Sequence, residues 1–316
     1  MIFSKRFSLV IKTFIAVFIF VILISFIPIT KVFSYSEQQA DTIFQATIYP
    51  VPIPDSLTFA GEAVPLEFFD VRESLDRELQ VNTFWHSQTL LLLKRANRYF
   101  PIIEPILEAN NIPIDFKYLA VAESGLTQAI SPSKAVGFWQ ILEGTGEELG
   151  LEINNEVDER YHIEKSTQAA CQYFKKAYEK YGNWTMVAAS YNFGMNGIDK
   201  QILRQENDSY YNMVLGEETG RYIFRILALK VIFENPTQYG FILNKCDLYP
   251  PLEYYEVEVD STITNISAFA RHFKTNYKIL KFFNPWLRES YLTNKLNKTY
   301  RIKIPKEGFR ETVYKK

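Results

Sequence analysis

The sequence predicts a mainly α-helical body followed by a small α+β module, and three observations carry that expectation. From Phe68 to about Gly240, apolar residues recur at helical spacing, broken by glycine and proline. After Tyr254 the pattern changes to alternation, then two short helical stretches, then alternation again. The 316 residues carry a net charge of −1, which divides into +4 over residues 1–34, −12 over 35–253 and +7 over 254–316. At roughly 100–200 residues per domain, the length allows two domains.

Taken in order, Met1–Lys12 is short and basic, and Thr13–Ile29 is almost purely apolar. Basic followed by apolar is the pattern of an export signal, and the run is near the shortest length that spans a bilayer. Residues 1–34 therefore read as a signal peptide or as an N-terminal membrane anchor. Either places the rest of the chain in the periplasmic side of the envelope, exported and exposed to oxidising conditions. No cysteine follows the run, which excludes lipid attachment at an N-terminal Cys. Residues 35–65, with Pro50, Pro52, Pro54 and Pro65, read as an extended linker. The helical domain is expected over 66–245 and the small module over 252–308.

Within the helical domain, Leu90, Leu91, Lys94, Ala96 and Phe100 mark a helix ending at Pro101. Ile102, Ile106 and Leu107 mark another, stopping at Asn110-Asn111. Asp115 is placed to cap the next helix, whose Phe116, Leu119, Ala120 and Glu123 share one face. Gly125 offers a left-handed stop. Glu123 thus falls on an apolar face in the last turn of its helix. Desolvation favours its neutral acid, and the negative end of the helix dipole disfavours the carboxylate. A carboxyl held protonated near neutral pH is what a general acid needs. On spacing alone, the modestly favoured reading is that the face turns slightly and Glu123 is solvated at a helix end.

Further along, Gly137-Phe138-Trp139-Gln140-Ile141 sets one long amide in an apolar run, so Gln140 must bond to backbone or line a cleft. Asn183 can cap the helix of Trp184, Val187, Ala188 and Tyr191, which ends at Asn192-Phe193-Gly194. The acids Glu217 and Glu218 suit the start of a helix carrying Tyr222, Ile223, Ile226 and Leu227. Balanced charge argues against a nucleic-acid partner. Two cysteines, Cys171 and Cys246, and three scattered histidines point to no metal and no cofactor. The aromatic share of 16% reads as core, with a minority available to a cleft.

The ordered set Glu123-Ser124-Gly125, Gly137-Phe138-Trp139-Gln140, Ser190-Tyr191-Asn192-Phe193-Gly194, and Glu218 with Tyr222 resembles family 1 lytic transglycosylases, in the membrane-bound murein transglycosylase D branch. Val71-Arg72-Glu73, Tyr99-Phe100-Pro101 and Val157-Asp158-Glu159-Arg160 add to the likeness, which covers about residues 68–240. Ser190 stands where alanine is usual, and Ser131-Pro132-Ser133-Lys134 departs from the common pattern. The resemblance implies a lysozyme-like (SLT) catalytic domain with a cleft for peptidoglycan strands. It implies cleavage of the MurNAc-GlcNAc bond without water, leaving a 1,6-anhydro end. It further implies that Glu123 acts first as acid and then as base, with Ser124, Gln140, Tyr191, Asn192 and Tyr222 binding substrate.

Because an internal hydroxyl replaces water, one carboxyl suffices where ordinary glycosidases need two. The motifs Gly137–Ile141 and Ser190–Gly194 contain no acid, which leaves Glu143, Glu147 and Asp158 to be placed by structure. A muramidase-type hydrolase of the same fold, a non-catalytic peptidoglycan-binding protein and a helical solute-binding protein are the alternatives. The strand-helix-helix-strand pattern after Tyr254 resembles a LysM module, with Asn284-Pro285 in place and Val259-Asp260-Ser261-Thr262 where Gly-Asp-Thr is usual. That likeness implies binding to glycans containing N-acetylglucosamine, and the +7 charge suggests attraction to anionic wall polymer or lipid. Expected partners are peptidoglycan strands and, if the N-terminal segment is uncleaved, the membrane.

Overall fold

Helical spacing after Phe68 becomes α1 (Phe69–Phe84), α2 (His86–Ala109), α3 (Lys117–Ser124), α4 (Glu143–Glu148), α5 (Ile163–Tyr181), α6 (Trp184–Phe193), α7 (Met195–Gln205) and α8 (Glu217–Glu234) in a computed structural model that describes residues 49–312. The export-signal segment 1–34 and the first part of the expected linker lie outside those residues. Among the described residues, no helix is long and apolar enough to cross a membrane. The described residues from Pro50 onward belong to one compact unit.

The short helix α3 sits at the centre, and its Tyr118, Leu119, Ala120 and Val121 are buried. It packs on α8, which is buried along most of its length from Tyr222 to Ile232, and α1 lies along α8 as well. On the other side, α5 and α6 close the core through an aromatic cluster. Phe116 and Phe174 stand 4.5 Å apart and Trp139 and Phe174 5.8 Å apart, centre to centre. The Trp139 indole N–H donates to the Thr167 hydroxyl at 2.8 Å, so its polar edge is satisfied inside the core. Cys171 is a buried thiol, pushed up to about 12 by burial, and belongs to this core.

Three features differ from the sequence expectation. The helix expected to stop at Pro101 does not stop: α2 runs through both Pro101 and Pro105. Proline removes one helix hydrogen bond, but Ala96, Ile103 and Leu107, buried on both sides of the break, hold the segment helical. The flanking Asn97 amide and Arg98 guanidinium are taken up by the backbone carbonyls of Tyr249 and Pro250, each at 3.0 Å. Second, Asp115 does not cap α3. A turn of 3-10 helix (Ile114–Phe116) precedes it, and the Asp115 carboxylate instead accepts from Lys230 Nζ and the Ala60 N–H, both at 2.7 Å.

Third, the C-terminal part of the expected linker is not extended. Thr58–Phe59 (β1) and Glu62–Ala63 (β2) form a hairpin turned by Ala60-Gly61, both at positive φ. Val51, Phe59, Val64 and Leu66 are buried, with Phe59 5.4 Å from Phe116. The Glu62 carboxylate then accepts from the N–H groups of Trp184 and Thr185, at 2.5 and 3.0 Å, at the start of α6. With the Asn183 cap on Met186 N–H, two side chains hold the N-terminus of the helix that carries Tyr191 and Asn192. Asp115→Ala strips this strap of its anchor and leaves the buried Lys230 ammonium unpaired. The expected cost is about 3–5 kcal/mol in thermal unfolding, and Asp115→Ala combined with Lys230→Met should recover most of it.

The C-terminal module is β3 (Tyr254–Val259), α9 (Ile266–His272), α10 (Tyr277–Phe283) and β4 (Tyr300–Pro305), with a last short helix α11 (Phe309–Thr312). Strands β3 and β4 pair antiparallel from Tyr254↔Pro305 to Val259↔Tyr300. Asn265 and Asn276 cap the two helices. Asn284 is buried and clamps β4: its amide donates to Leu280 and Lys303 carbonyls and accepts from Lys303 N–H. The module does not stand apart. Val136, Val157 and Tyr161 join its core of Ile266, Leu280, Trp286, Ile302 and Ile304. Asp158 N–H bonds to Trp286 C=O at 2.9 Å and Arg288 N–H to Glu156 C=O at 2.7 Å, forming an isolated antiparallel bridge, Val157↔Leu287, across the seam. Lys303 pairs with Glu164 there. Burial would raise the Glu164 carboxyl, but His162 and Lys303 hold it down at about 2.

Candidate active site

The last turn of α3 ends at Gly125, whose φ of +60° makes the left-handed stop and leaves the Glu123 side chain at the rim of the core. From the start of α8, the buried Tyr222 hydroxyl donates to Glu123 Oε1. Burial pushes the Glu123 carboxyl up to about 7, and the negative charge of Glu218 works the same way. The Tyr222 hydrogen bond and the Arg225 charge pull it down, without overcoming burial. Tyr222 itself is driven well above its ordinary value, first by burial and then by Glu123, so its hydroxyl remains a donor.

Tyr191 and Asn192 arrive from the end of α6. The Tyr191 hydroxyl donates to Trp139 C=O at 2.6 Å, and its ring packs edge-on to Tyr173 at 5.1 Å. Burial, then the proximity of Glu123, raises Tyr191 well above its ordinary range. The Asn192 carbonyl oxygen accepts from the Thr219 hydroxyl at 2.8 Å, which ties the end of α6 to the start of α8. Ser124 spends its hydroxyl on Phe138 C=O at 2.9 Å and on Ala120 C=O at 3.2 Å. Gln140 sits at positive φ and donates to Gly137 C=O at 2.8 Å and Ala129 C=O at 3.1 Å. Ser124 fastens the Gly137–Gln140 loop to the end of α3, and Gln140 fastens it to Ala129. Glu123, Tyr191 and Tyr222 come together as one group, and Ser124, Gln140 and Asn192 form the frame around it.

Glu123 opens into a cavity of about 350 Å3 whose far wall comes from α1 and α2. Among the lining residues that the sequence reading does not single out are Glu78, Trp85, Arg221 and Arg225. Glu78 had a legible signal, since Val71, Leu75 and Glu78 follow the same spacing that placed Glu123 on an apolar face. It is 2% exposed, and its carboxylate is bound by Arg221 at 2.7 Å and Arg77 at 3.2 Å. Trp85 is 59% exposed at the corner between α1 and α2, offering an aromatic face to the cavity. The sequence candidates for a second acid lie elsewhere. Glu143 and Glu147 are exposed on α4, and Asp158 is paired with Arg160 at 2.8 Å. A second cavity, about 340 Å3 at the seam between α2, Tyr161–Glu164 and the C-terminal module, contains none of the candidate site residues. Among the described residues, no group of three or more His, Cys, Asp or Glu side chains is placed to hold a metal.

The site is a half-buried acid at the end of a central helix, met by a tyrosine from α8 within a helical body. Residues 101–214 match the transglycosylase SLT domain, and residues 255–308 match the soluble lytic transglycosylase C-terminal LysM-like domain. The chain is thus similar to lytic transglycosylases in its helical body and in its C-terminal module. It is 29% identical over 205 residues to the membrane-bound lytic murein transglycosylase D of Escherichia coli K12, and equally to that of Escherichia coli O6:H1 strain CFT073. The match takes in 62% of this chain and 44% of each relative, so the chain spans less than half the length of the curated relatives it matches.

Proposed function

We propose that this protein is a peptidoglycan lytic transglycosylase that cleaves the β-1,4 bond between MurNAc and GlcNAc and leaves a 1,6-anhydroMurNAc end. One observation carries the reading: Glu123 is a cavity-lining carboxyl raised to about 7, and the other carboxylate in that cavity, Glu78, is neutralised by arginines. Near neutral pH a large share of molecules hold Glu123 as the acid. It protonates the glycosidic oxygen as the C1–O bond breaks, and GlcNAc departs as an alcohol. The muramoyl 6-hydroxyl oxygen closes on C1 and gives its proton to the Glu123 carboxylate, which restores the acid. No water is consumed.

The remaining assignments follow from the same frame. The Tyr222 hydroxyl orients Glu123 and stabilises its carboxylate in the second half of the reaction. Asn192, Gln140, Tyr191 and Ser124 are the substrate-side and supporting groups, with Ser124 and Gln140 acting through the loop they fasten. A hydrolytic muramidase remains the second reading, favoured only by the shared acid. Mass spectrometry of the soluble digest decides between them, because anhydro-muropeptides lack one water relative to hydrolytic products. Finding only the hydrated series would reject the lytic reading.

Tyr222→Phe deprives the Glu123 carboxylate of its donor, so the Glu123 pKa should rise above about 7. The limb of the pH–rate profile on which the acid is lost should then move to higher pH, while kcat falls by about tenfold or more. An unmoved limb would show that this hydrogen bond has no part in tuning the acid. The LysM-like module is assigned to binding the same glycan, and its +7 charge to anionic wall polymer. Retention of the chain on purified peptidoglycan at low but not high salt would support the charge argument. The N-terminal basic and apolar segment is assigned to export into the envelope, as a cleaved signal or as an anchor.

A further inference from the structure

Arg221 and Arg225 stand one turn apart on α8, both on the wall of the Glu123 cavity, and only one of them is neutralised. Arg221 pairs with Glu78 at 2.7 Å and with Glu217 at 3.5 Å. Arg225, half-buried, forms no ion pair and no hydrogen bond among the described residues; its interactions are electrostatic, with Glu123 and Tyr222. A guanidinium is always charged and presents a planar fork of donors that matches a carboxylate. None of its nitrogens is a buried unsatisfied donor, so they face the cavity's solvent, where a ligand can take them in place of water. Glu123 is no standing counter-ion, because it must carry a proton to act. Tyr222 and Arg225 are three residues apart, so the helix presents them on neighbouring positions of one face. The charge is therefore set beside the acid itself.

We propose that Arg225 forms a carboxylate-binding subsite next to Glu123 that takes a carboxylate carried on the 3-substituent of the muramoyl residue. This rests on the reaction proposed above, which puts the muramoyl sugar beside Glu123. The muramoyl residue differs from its neighbour by a lactyl ether, which ends in a free carboxylate on bare strands. On peptide-bearing strands the lactyl group is an amide, and the stem peptide brings carboxylates of its own. The two sources share one chemistry, and a bidentate guanidinium contact serves either. Occupation has a further consequence. Once the bound carboxylate neutralises Arg225, its pull on the Glu123 proton is relieved, so the proper substrate favours the protonated acid. By linkage, protonated Glu123 favours that substrate in return.

The test measures binding to the full chain carrying Glu123→Gln, which removes turnover from the readout. Three soluble ligands are titrated by calorimetry: bare glycan strands, peptide-bearing strands, and bare strands whose lactyl carboxylates are methyl esters. Adding Arg225→Met should weaken binding of at least one carboxylate-bearing ligand by about tenfold or more and leave the ester unchanged. The bare strands read the lactyl carboxylate and the peptide-bearing strands read the stem. Arg225→Lys should retain part of the affinity. Equal affinity of Arg225→Met and its parent for both carboxylate-bearing ligands would overturn the proposal, as would an equal loss for all three. If Arg225→Met does not fold, Arg225→Gln is read in the same way. In the otherwise wild-type protein, Arg225→Met should also shift the acid limb of the pH–rate profile to higher pH. Failure of the wild-type protein to release anhydro products would reject the proposed reaction and leave the binding result standing.

Discussion

Glu123→Gln should leave a folded protein that releases no anhydro-muropeptides. The amide keeps the shape of the side chain and can still accept from the Tyr222 hydroxyl, yet it has no proton to give and no carboxylate to take one back. General acid–base catalysis is worth about 10²–10⁴-fold on its own, and here a single group supplies both directions. Turnover should therefore fall by at least that factor. Stability should move the other way. Glu123 titrates at about 7 in the folded chain against an ordinary value of 4.5, so the fold binds the proton more tightly than the unfolded chain does. Between those values stability falls as pH rises, and above about 7 the ionised side chain strains its buried site. The glutamine variant escapes that penalty. Its melting temperature should exceed that of the wild type at pH 8 by an amount equivalent to about 1–3 kcal/mol, and should match it near pH 4. A variant that keeps wild-type turnover would remove Glu123 from the chemistry.

Gly137→Ala is the second large effect, and it acts through the frame rather than the acid. Gly137 has φ +79°, and a Cβ there would sit 2.2 Å from the Arg160 carbonyl oxygen and 3.2 Å from its carbon. The contact is with backbone, and the Arg160 N–H and guanidinium are both held by the Asp158 carboxylate, at 3.1, 2.9 and 2.8 Å. The loop must move instead, and with it the carbonyls of Phe138 and Trp139 that receive Ser124 and Tyr191. Backbone strain and overpacking together should cost about 2–4 kcal/mol, with a fall in kcat at temperatures where the protein remains folded. Gly144→Ala is the control: it lies in α4 with nothing within 4 Å of the added Cβ, at an ordinary φ, and should be neutral or slightly stabilising. Equal melting temperatures for the two variants would show that the Gly137 approach is not a constraint.

What could be read from the chain beforehand was local. The face of Phe116, Leu119, Ala120 and Glu123, the stop at Gly125 and the Asn183 cap depend on neighbours within a turn or two, and each stands as spacing requires. The paired strands Tyr254–Val259 and Tyr300–Pro305 were legible for the same reason, from their alternation. The misreadings were contests settled from far away. Pro101 looked like a helix end because a proline's missing N–H is a local fact, whereas the packing that carries α2 through it is tertiary. Asp115 had the place of a cap and was claimed by Lys230, 115 positions along the chain. The prolines around residues 50–65 suggested a tether, and the buried Val51 and Phe59 were too sparse to signal a strap. Arg225 gave no signal at all. A basic residue on an amphipathic helix usually faces water, and only the meeting of α1, α3 and α8 turns this one toward an acid.

Digestion of peptidoglycan in oxygen-18-labelled water tests the central claim most directly. Closure of the muramoyl 6-hydroxyl on C1 uses an oxygen already in the sugar, so the released muropeptides should carry no label at the new end. Label at the anomeric carbon of the muramoyl residue, in products one water heavier, would contradict it and make the protein a hydrolase.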